Sequence, residues 1–317
     1  MAADPLSLPL FHCTSEVEDA LAERRPMVAL ESTLLAHGLP ESERARVADE
    51  LEALVRSEGA VPATIAILDG RFCLGLAGAD RERVIAGGAE KASLRDLSVA
   101  LGLGGVWATT VASTMAIAAR AGIRVFATGG IGGVHRDASE TFDESADLMA
   151  LARYPVAVVS AGAKSVLDLP RTLERLETLG VPVIGFGTQE LPAFYHGQSG
   201  LPLVASTHSV EALARVLVAR FDRLQEGGLL VVQPPPAEFS QPPAVVDALI
   251  AEALAAAAQA GVRGRAVTPF LLARLDTLSG GDVVRTNIAL VRNNAQLAAR
   301  LAVAEVALAE ADRPMGG

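Results

Sequence analysis

The sequence predicts a single-domain, three-layer α/β/α fold with a central, mixed β-sheet over residues 1–317. Short apolar runs of strand length alternate along the chain with amphipathic runs of helix length, which is the pattern of a sheet covered by helices. Half of the residues are hydrophobic and only 4% are aromatic. Small side chains of this kind suit close helix–sheet contacts. No internal repeat or linker divides the chain, so we expect one domain.

The net charge and the cysteine count exclude several classes of protein. The formal charge is −10 and the pI is near 5.1, so no general affinity for nucleic acid or anionic membranes is expected. Two cysteines predict neither a disulfide framework nor a zinc site. The first residues lack the pattern of a signal peptide, and the uncharged run 97–119 is predicted as a buried strand and helix rather than a membrane span. We therefore expect a cytoplasmic protein.

The first half of the chain is predicted from caps, apolar runs and one hairpin turn. Asp69-Gly70 predicts an antiparallel hairpin, which makes the sheet mixed. The predicted elements are an irregular arm at 1–15, a helix at 15–23, a strand at 26–31, a helix at 40–58, strands at 63–68 and 71–76, a short helix at 79–87, and a strand at 123–127 after a helix within 104–119.

The second half continues the alternation. The predicted elements are a strand at 155–160, a helix that Lys164 opens, a strand at 181–185, a loop at 186–202, a helix at 209–226, a strand at 228–233, helices at 243–259 and 268–279, and a last helix that Asn287 leads.

Potential chemistry concentrates in one stretch, residues 125–165. An apolar strand runs into two glycine pairs, GGIGG, and then into His135-Arg136. The glycines fit neither the dinucleotide nor the P-loop fingerprint, so they indicate only a backbone that can approach a ligand. His135 and Arg136 either contact that ligand or cover the loop.

An acidic segment follows the glycine loop. Asp143 and Asp147 are four residues apart and would share one face of a helix, with Glu144 beside them. Such a run is either a solvated helix face or a hard-cation site with oxygen ligands for magnesium or manganese.

Three further positions are predicted to bear on a site. Glu31 ends a buried strand, where desolvation would raise its pKa and suit it to act as an acid, unless it only caps the next turn. Lys164 follows another buried strand; a helix dipole and partial desolvation there would favour the neutral, nucleophilic amine, and a phosphate-binding lysine is the alternative. Lys91 is predicted in a loop, as a solvated side chain or a phosphate ligand. Hydroxyl-bearing residues at 109–114 begin a helix and suit either anion binding or capping.

Taken together, long runs of the sequence resemble the pseudouridine-5′-phosphate glycosidase family, also called indigoidine synthase A-like proteins. The runs span residues 28–302 and are VALESTLLAHGLP, EGAVPATIAIL, ATTVASTMAIAA, FATGGIGGVHR, TFDESADL, SAGAKSVLDLPRTLE, TPFLLAR and GGD…NIALVRNNA. Gln233-Pro234 departs from the family's usual Asn-Pro, and the loop 186–202 also differs.

The resemblance implies an α/β/α homotrimer that exchanges pseudouridine 5′-phosphate and water for uracil and ribose 5-phosphate, with a divalent metal, typically manganese or otherwise magnesium. It implies that Glu31 is the proton donor, Lys164 the covalent nucleophile and Asp143 the metal position. Asn287 matches an active-site amide, and Asp147 would be a catalytic base. The substrate-binding positions that we expect are Lys91, Thr110, Val111, Thr128, His135, Ser145, Ala146 and Asp147.

The chemistry of such a reaction fits these residue types. The bond between ribose and uracil is a C–C bond, so the paired carboxylates of O-glycosidases fit it poorly. Opening of the ribose and an imine on Lys164 would provide an electron sink, with Glu31 protonating the ring oxygen. The alternatives are a Schiff-base aldolase acting on a sugar phosphate, and a non-catalytic phosphosugar-binding protein.

Overall fold

The computed structural model describes residues 9–262 and 267–311. Its strands form one sheet and are β1 (Phe11–Cys13), β2 (Met27–Glu31), β3 (Val61–Leu68), β4 (Arg71–Leu74), β5 (Glu90–Ala92), β6 (Val106–Thr109), β7 (Val125–Ala127), β8 (Ala157–Ser160), β9 (Val183–Phe186), β10 (Ala205–Thr207) and β11 (Leu229–Val232). Within the described ranges the order is β1–β4–β3–β2–β7–β8–β11–β9–β10, and β6 joins β3 to β5 beside this path.

The helices alternate with the strands along most of the chain, as predicted. They are α1 (Ser15–Glu23), α2 (Thr33–His37), α3 (Glu41–Ser57), α4 (Gly78–Ile85), α5 (Leu97–Leu103), α6 (Val111–Ala121), α7 (Ala138–Thr141), α8 (Ala146–Arg153), α9 (Leu169–Thr178), α10 (Val210–Val218), α11 (Pro243–Gln259), α12 (Val267–Ser279) and α13 (Asp282–Ala311). No helix of the described residues is long and apolar enough to cross a bilayer.

The sheet is mixed, as the sequence predicts. Neighbouring strands run parallel except that β3 is antiparallel to β4 and to β6. Asp69 and Gly70 both have positive φ, 51° and 79°, which is the backbone geometry of a tight hairpin turn. The central strands β7, β8 and β11 are buried throughout, as expected of parallel strands covered on both faces.

Helices cover both faces of the sheet. The 30-residue α13 packs on β2, β7 and β8, with α3 and α10 against it. On the other face α6 packs on β2 and β3, and α8 packs on α6. The small side chains of α6, where Ala112, Ala116 and Ala118 are fully buried, let this helix lie close to the strands. These layers agree with the predicted α/β/α arrangement.

One gap in the sheet determines where a ligand can bind. β2 pairs with the first part of β3, and antiparallel β6 pairs with the last part. Because both lie on one edge of β3, their carboxyl ends meet head to head, near Glu31 and Thr109. Open α/β sheets bind ligands at such a switch point, outside the carboxyl ends of strands.

Several local predictions are wrong. The arm predicted at 1–15 contains a strand, since Phe11–Cys13 pairs with β4; residues 1–8 lie outside the described part. Lys91 lies on β5 and not in a loop, because its backbone pairs with β6. The helix predicted at 209–226 is regular only over Val210–Val218 and then widens into a π-type turn at Ala219–Arg223.

Three further errors, like that at Lys91, concern predicted site residues. Lys164 does not open a helix, because α9 begins at Leu169 with Pro170 in its first turn. Asn287 does not lead the last helix, which begins at Asp282. Asp143 and Asp147 do not share a helix face, since α8 begins at Ala146 and only Asp147 belongs to it.

Candidate active site

Two connected cavities open at the gap between β2 and β6. The larger, of about 410 Å³, is called the outer compartment, and the smaller, of about 60 Å³, the inner compartment. Both are lined by the same four side chains, which therefore stand at their junction: Glu31, Thr33, Lys91 and Lys164.

Glu31 ends β2 and turns its carboxylate into this junction. Burial raises its pKa; Lys164, a hydrogen bond from Thr128 Oγ1 to Oε1, and Lys91 partly offset the increase, while Asp147 adds to it. A raised pKa keeps the carboxyl group protonated to higher pH than an ordinary glutamate. The predicted effect of desolvation is confirmed, and it suits a proton donor.

Lys164 is positioned by an extension of the parallel ladder, not by a helix. Beyond β7 and β8 the two chains stay side by side, with Ile131 bridged to Ala163. Lys164 N donates to Ile131 O at 3.1 Å, and Ile131 N donates to Gly162 O at 3.0 Å. This backbone pairing fixes the Cα of Lys164 beside the glycine loop. The helix dipole expected to act on the amine has no structural basis.

Lys91 reaches the junction from β5. Burial, and then the positive charge of Lys164, lower its pKa, while Glu31 and Asp147 act in the opposite direction. Neither lysine belongs to an ion pair within residues 9–262 and 267–311, so both ammonium groups are uncommitted.

Hydrogen bonds fix the gap between β2 and β6. Ser32 Oγ and Thr109 Oγ1 both donate to Ile65 O, at 2.6 and 2.7 Å, and Thr109 N donates to Ser32 Oγ at 2.9 Å. Thr33 Oγ1 donates to Thr109 O at 2.7 Å. Side chains thus join the ends of β2 and β6, which meet end to end and cannot pair through backbone hydrogen bonds. α6 begins directly after the end of β6. Val111, a predicted substrate-binding position, lines the outer compartment.

Asp147 joins two walls of the outer compartment. Its Oδ1 accepts from Ala112 N in the first turn of α6 at 2.9 Å, and its Oδ2 accepts from Gly132 N at 2.7 Å. A Cβ added at Gly132 would lie 2.9 Å from Oδ2 and closer still to Ser145 Oγ, so this position requires glycine. Ser145 caps α8, accepting from Asp147 N. Close approach at Gly132 therefore serves contacts within the protein.

Asp143 and His135 lie at the rim of the outer compartment. Asp143 Oδ2 is 3.9 Å from His135 Nδ1, and the Asp143 side chain is 41% exposed. No group of three or more His, Cys, Asp or Glu side chains in the described part of the chain could hold a metal ion by itself. One free carboxylate does fit magnesium or manganese, which are commonly bound by one or two carboxylates, water and substrate phosphate.

The inner compartment is enclosed by the glycine loop and α13. Asn287 is buried, and its Oδ1 has no hydrogen-bond partner among the described residues. A Cβ added at Gly129 would lie 3.1 Å from that oxygen. A buried amide oxygen without a partner is costly, so its presence beside a cavity points to a ligand donor.

Asn294 of α13, with Gln233 after β11, supports the glycine loop through hydrogen bonds. Asn294 Nδ2 donates to Thr128 O at 2.8 Å, and Gln233 Nε2 donates to Asn294 Oδ1 at 3.1 Å. Gln233 therefore supports the loop indirectly. Its departure from the family's asparagine is accommodated in this buried network.

The structure brings nearly all predicted site residues together. The outer compartment holds Lys91, Thr110, Val111, His135, Asp143, Ser145 and Asp147, and the inner one holds Thr128 and Asn287. Ala146 lines neither cavity. Sequence reasoning missed Thr33, Phe194 and Asn294. Thr33 follows Glu31 in a hydroxyl-rich loop, which was a usable signal, whereas Phe194 lies in an irregular loop that gave none.

This fold and site define a class: an α/β protein in which the carboxyl ends of the strands present a half-buried acid and two lysines without ion pairs among the described residues to a small-molecule cavity, as enzymes do. A family model described as indigoidine synthase A like protein matches residues 16–304. The chain belongs to the indigoidine synthase A-like family.

Relatives extend over most of the chain. A protein of Myxococcus xanthus named pseudouridine-5′-phosphate glycosidase is 51% identical over 293 residues, covering 92% of this chain and 97% of that protein. One of Sorangium cellulosum with the same name is 52% identical, with 92% of each chain covered. The long family runs in the sequence therefore reflect true similarity.

Two solved structures share the fold. The prealnumycin C-glycosynthase AlnA, in complex with ribulose 5-phosphate, has a TM-score of 0.89 and 41% identity, covering 96% of this chain and 100% of that chain. An indigoidine synthase A-like protein from Thermotoga maritima has a TM-score of 0.83 and 31% identity, covering 93% and 96%.

Proposed function

We propose that this chain is a pseudouridine-5′-phosphate glycosidase, which reversibly cleaves the C–C bond between ribose and uracil to give uracil and ribose 5-phosphate. The observation that carries the proposal is the position of Glu31 and Lys164 at the junction between a polar outer and a smaller inner compartment. The names of relatives that are half identical over nearly the whole chain support the same activity.

The sugar phosphate occupies the outer compartment. Lys91 offers positive charge to a phosphate, and the start of α6 offers the Thr110 hydroxyl and the Val111 amide, since Thr110 N already donates to Ala92 O. Ser145 and Asp147 adjoin the same helix start, because Asp147 Oδ1 accepts from Ala112 N, and they can bind hydroxyl groups of an opened ribose. Because both Asp147 oxygens already accept backbone N–H groups, we assign it to positioning a hydroxyl rather than to proton removal.

Lys164 and Glu31 carry the reaction. Glu31 gives its proton to the ribose ring oxygen as the C1′–O4′ bond breaks, and the Lys164 amine forms a bond to C1′. The Glu31 carboxylate takes a proton from the new C1′–nitrogen group, the nitrogen lone pair then expels uracil as C5 takes that proton from Glu31, and an imine remains on C1′. Water hydrolyses the imine and releases ribose 5-phosphate, which restores the amine.

The uracil ring lies in the inner compartment. The unpartnered Oδ1 of Asn287 accepts the imide N–H that uracil presents, and its NH₂ group can donate to a flanking carbonyl. Asn287 can make both hydrogen bonds only with a base that carries an N–H group beside a carbonyl group, as neutral uracil does.

A divalent cation, manganese or magnesium, would be held at Asp143 by its carboxylate, water and the substrate phosphate. When bound it supplies positive charge that helps to neutralise the phosphate. We also propose a homotrimer, on the resemblance to the family alone; the mass in solution tests it.

Release of uracil from pseudouridine 5′-phosphate tests the proposal, measured first with manganese and then with a chelator. Borohydride reduction in the presence of ribose 5-phosphate should leave a mass adduct on Lys164, and Lys164→Arg serves as the matched control that should give none. An adduct with cleavage of a sugar phosphate but no uracil would indicate the aldolase. Binding of ribose 5-phosphate without adduct or turnover would indicate a binding protein and contradict the proposal.

A further inference from the structure

Phe194 lies in the long connection between β9 and β10, and its backbone is held in an unusual conformation. Its φ is +65°, a region that a bulky residue adopts only when its surroundings impose it. Phe194 N donates to Ala161 O at 3.2 Å, next to the segment that carries Lys164. The side chain is only 2% exposed. The position of this ring is therefore fixed by the fold.

The Phe194 ring lies directly on the glycine loop. A Cβ added at Gly130 would be 2.6 Å from both Cδ2 and Cε2 of the ring, and one added at Gly129 would be 3.8 Å from Cε2. The ring also meets Tyr195 edge to face, with centroids 4.8 Å apart at 82°. Contacts with the loop and with the tyrosine hold the ring in place.

The ring forms one wall of the inner compartment. Leu34 and Leu272 provide further apolar surface, while Asn287, Glu31 and Lys164 provide the polar groups. The volume of about 60 Å³ is the space of only a few water molecules, at roughly 10–15 Å³ each. The polar groups stand at the junction with the outer compartment, since Glu31, Lys91 and Lys164 line both cavities. The small volume and the apolar surface of the rest suit a small, flat ring.

From this geometry we propose that Phe194 determines base specificity, by closing the inner compartment to bases larger than a single ring. The inference depends on the proposed function, since it assigns the base to this compartment. Gly130 contributes to the same specificity, because any larger residue there would displace the Phe194 ring. Phe194 acts by steric exclusion and not as a catalytic group.

Binding of two free bases to the enzyme with saturating ribose 5-phosphate tests this role. 1-Phenyluracil keeps the imide face of uracil and a free C5, which faces ribose C1′, and adds a second ring at N1. Wild-type enzyme should prefer uracil by at least about 10-fold, the scale on which a closed pocket rejects extra carbon atoms. Phe194→Ala should reduce that preference by about 10-fold or more. Phe194→Leu, which removes less of the buried side chain and so costs less stability, should reduce the preference less.

Phe239→Ala is the matched control, since Phe239 is 40% exposed and does not line the inner compartment; it should keep the wild-type preference. Wild-type enzyme that binds both bases equally, or Phe194 variants that keep the wild-type preference, would overturn the inference. For these binding ratios every protein also carries Lys164→Arg, because the reversible reaction would otherwise join uracil to ribose 5-phosphate; wild-type in this comparison means unchanged at Phe194 and Phe239. Lack of uracil release by wild-type enzyme would instead overturn the proposed function.

Discussion

Two cavities of equal volume lie at opposite ends of the sheet. The outer compartment opens at the carboxyl ends of β2 and β6, and a second cavity, also of about 410 Å³, lies at the amino ends of β2 and β7. We call the second one the amino-end cavity; it is lined by residues 20–27, 121–125 and 302–310. Volume alone does not distinguish a functional site from a packing gap.

Pairing of the partly buried cations does distinguish them, whereas Arg24 of the amino-end cavity is exposed. In the amino-end cavity, Arg124 is bound by both Asp222 oxygens at 3.0 Å and by Glu305 Oε1 at 3.1 Å. Its guanidinium also lies 5.2 Å from the centre of the Phe221 ring. In the outer compartment, Lys91 and Lys164 have no ion-pair partner among the described residues. Charge left unpaired at a cavity is available to a ligand, and four variants test this contrast.

Lys164→Ala should have the largest effect. Without the amine no covalent bond to C1′ forms, and we expect kcat to fall on the order of 10³-fold or more. Steady-state uracil release measures the loss, and ribose 5-phosphate binding checks that the compartment is intact. Full activity in Lys164→Ala would refute the covalent mechanism.

Glu31→Gln should lower kcat/KM about 10²–10⁴-fold, the usual contribution of a general acid. Because the pKa of Glu31 is raised, wild-type kcat/KM should fall as the pH rises through that pKa, and the variant should lack this limb. A group whose folded pKa is raised costs stability once the pH exceeds it, so Glu31→Gln should also be more stable than wild type at high pH. An unchanged pH profile would count against the acid role.

Lys91→Met should raise KM roughly 10- to 100-fold, the loss of one charged hydrogen bond to phosphate, with little effect on kcat. Because burial lowers the pKa of Lys91, wild-type KM should rise at lower pH than for an ordinary lysine. Lys91→Arg keeps its charge and should flatten that rise. Equal KM values for wild type and Lys91→Met would remove Lys91 from the phosphate site.

Arg124→Met in the amino-end cavity should leave kcat and KM unchanged. It should destabilise the fold by about 1–3 kcal/mol, since it leaves buried Glu305 without a partner. Burial already raises the pKa of Glu305, so this loss should grow as the pH rises and the carboxylate ionises. Urea unfolding at two pH values measures it, and adding Glu305→Gln should relieve it. A change in kcat/KM would contradict the claim that only the outer compartment takes part in the activity.

The sequence indicated the fold and most of the site because both depend on local patterns. Glu31 was recognisable as a carboxylate at the end of an apolar run, and the Asp69-Gly70 turn predicted the antiparallel pair. The irregular segment after β8 was not recognisable, since SVLDLPRTLE has helical composition but its helix begins only at Leu169.

Long-range contacts account for what the sequence did not reveal. Phe194 reaches the glycine loop through tertiary packing, and its left-handed backbone follows no pattern of neighbouring residues. The edge strand β1 has three residues, too few for an alternation to be read. Asp147 was identified as a site residue, but its two backbone partners, Ala112 and Gly132, depend on how α6 and the loop pack.

The site draws Glu31 from near the start of the described chain and Asn287 from α13 near its end. A folding intermediate that lacks either segment would hold only part of the cavity. Ligand affinity therefore requires segments that are distant in the sequence to be folded together. A ligand that binds only the complete structure stabilises the whole domain against unfolding, so protection from proteolysis should extend to β2 and α13 together.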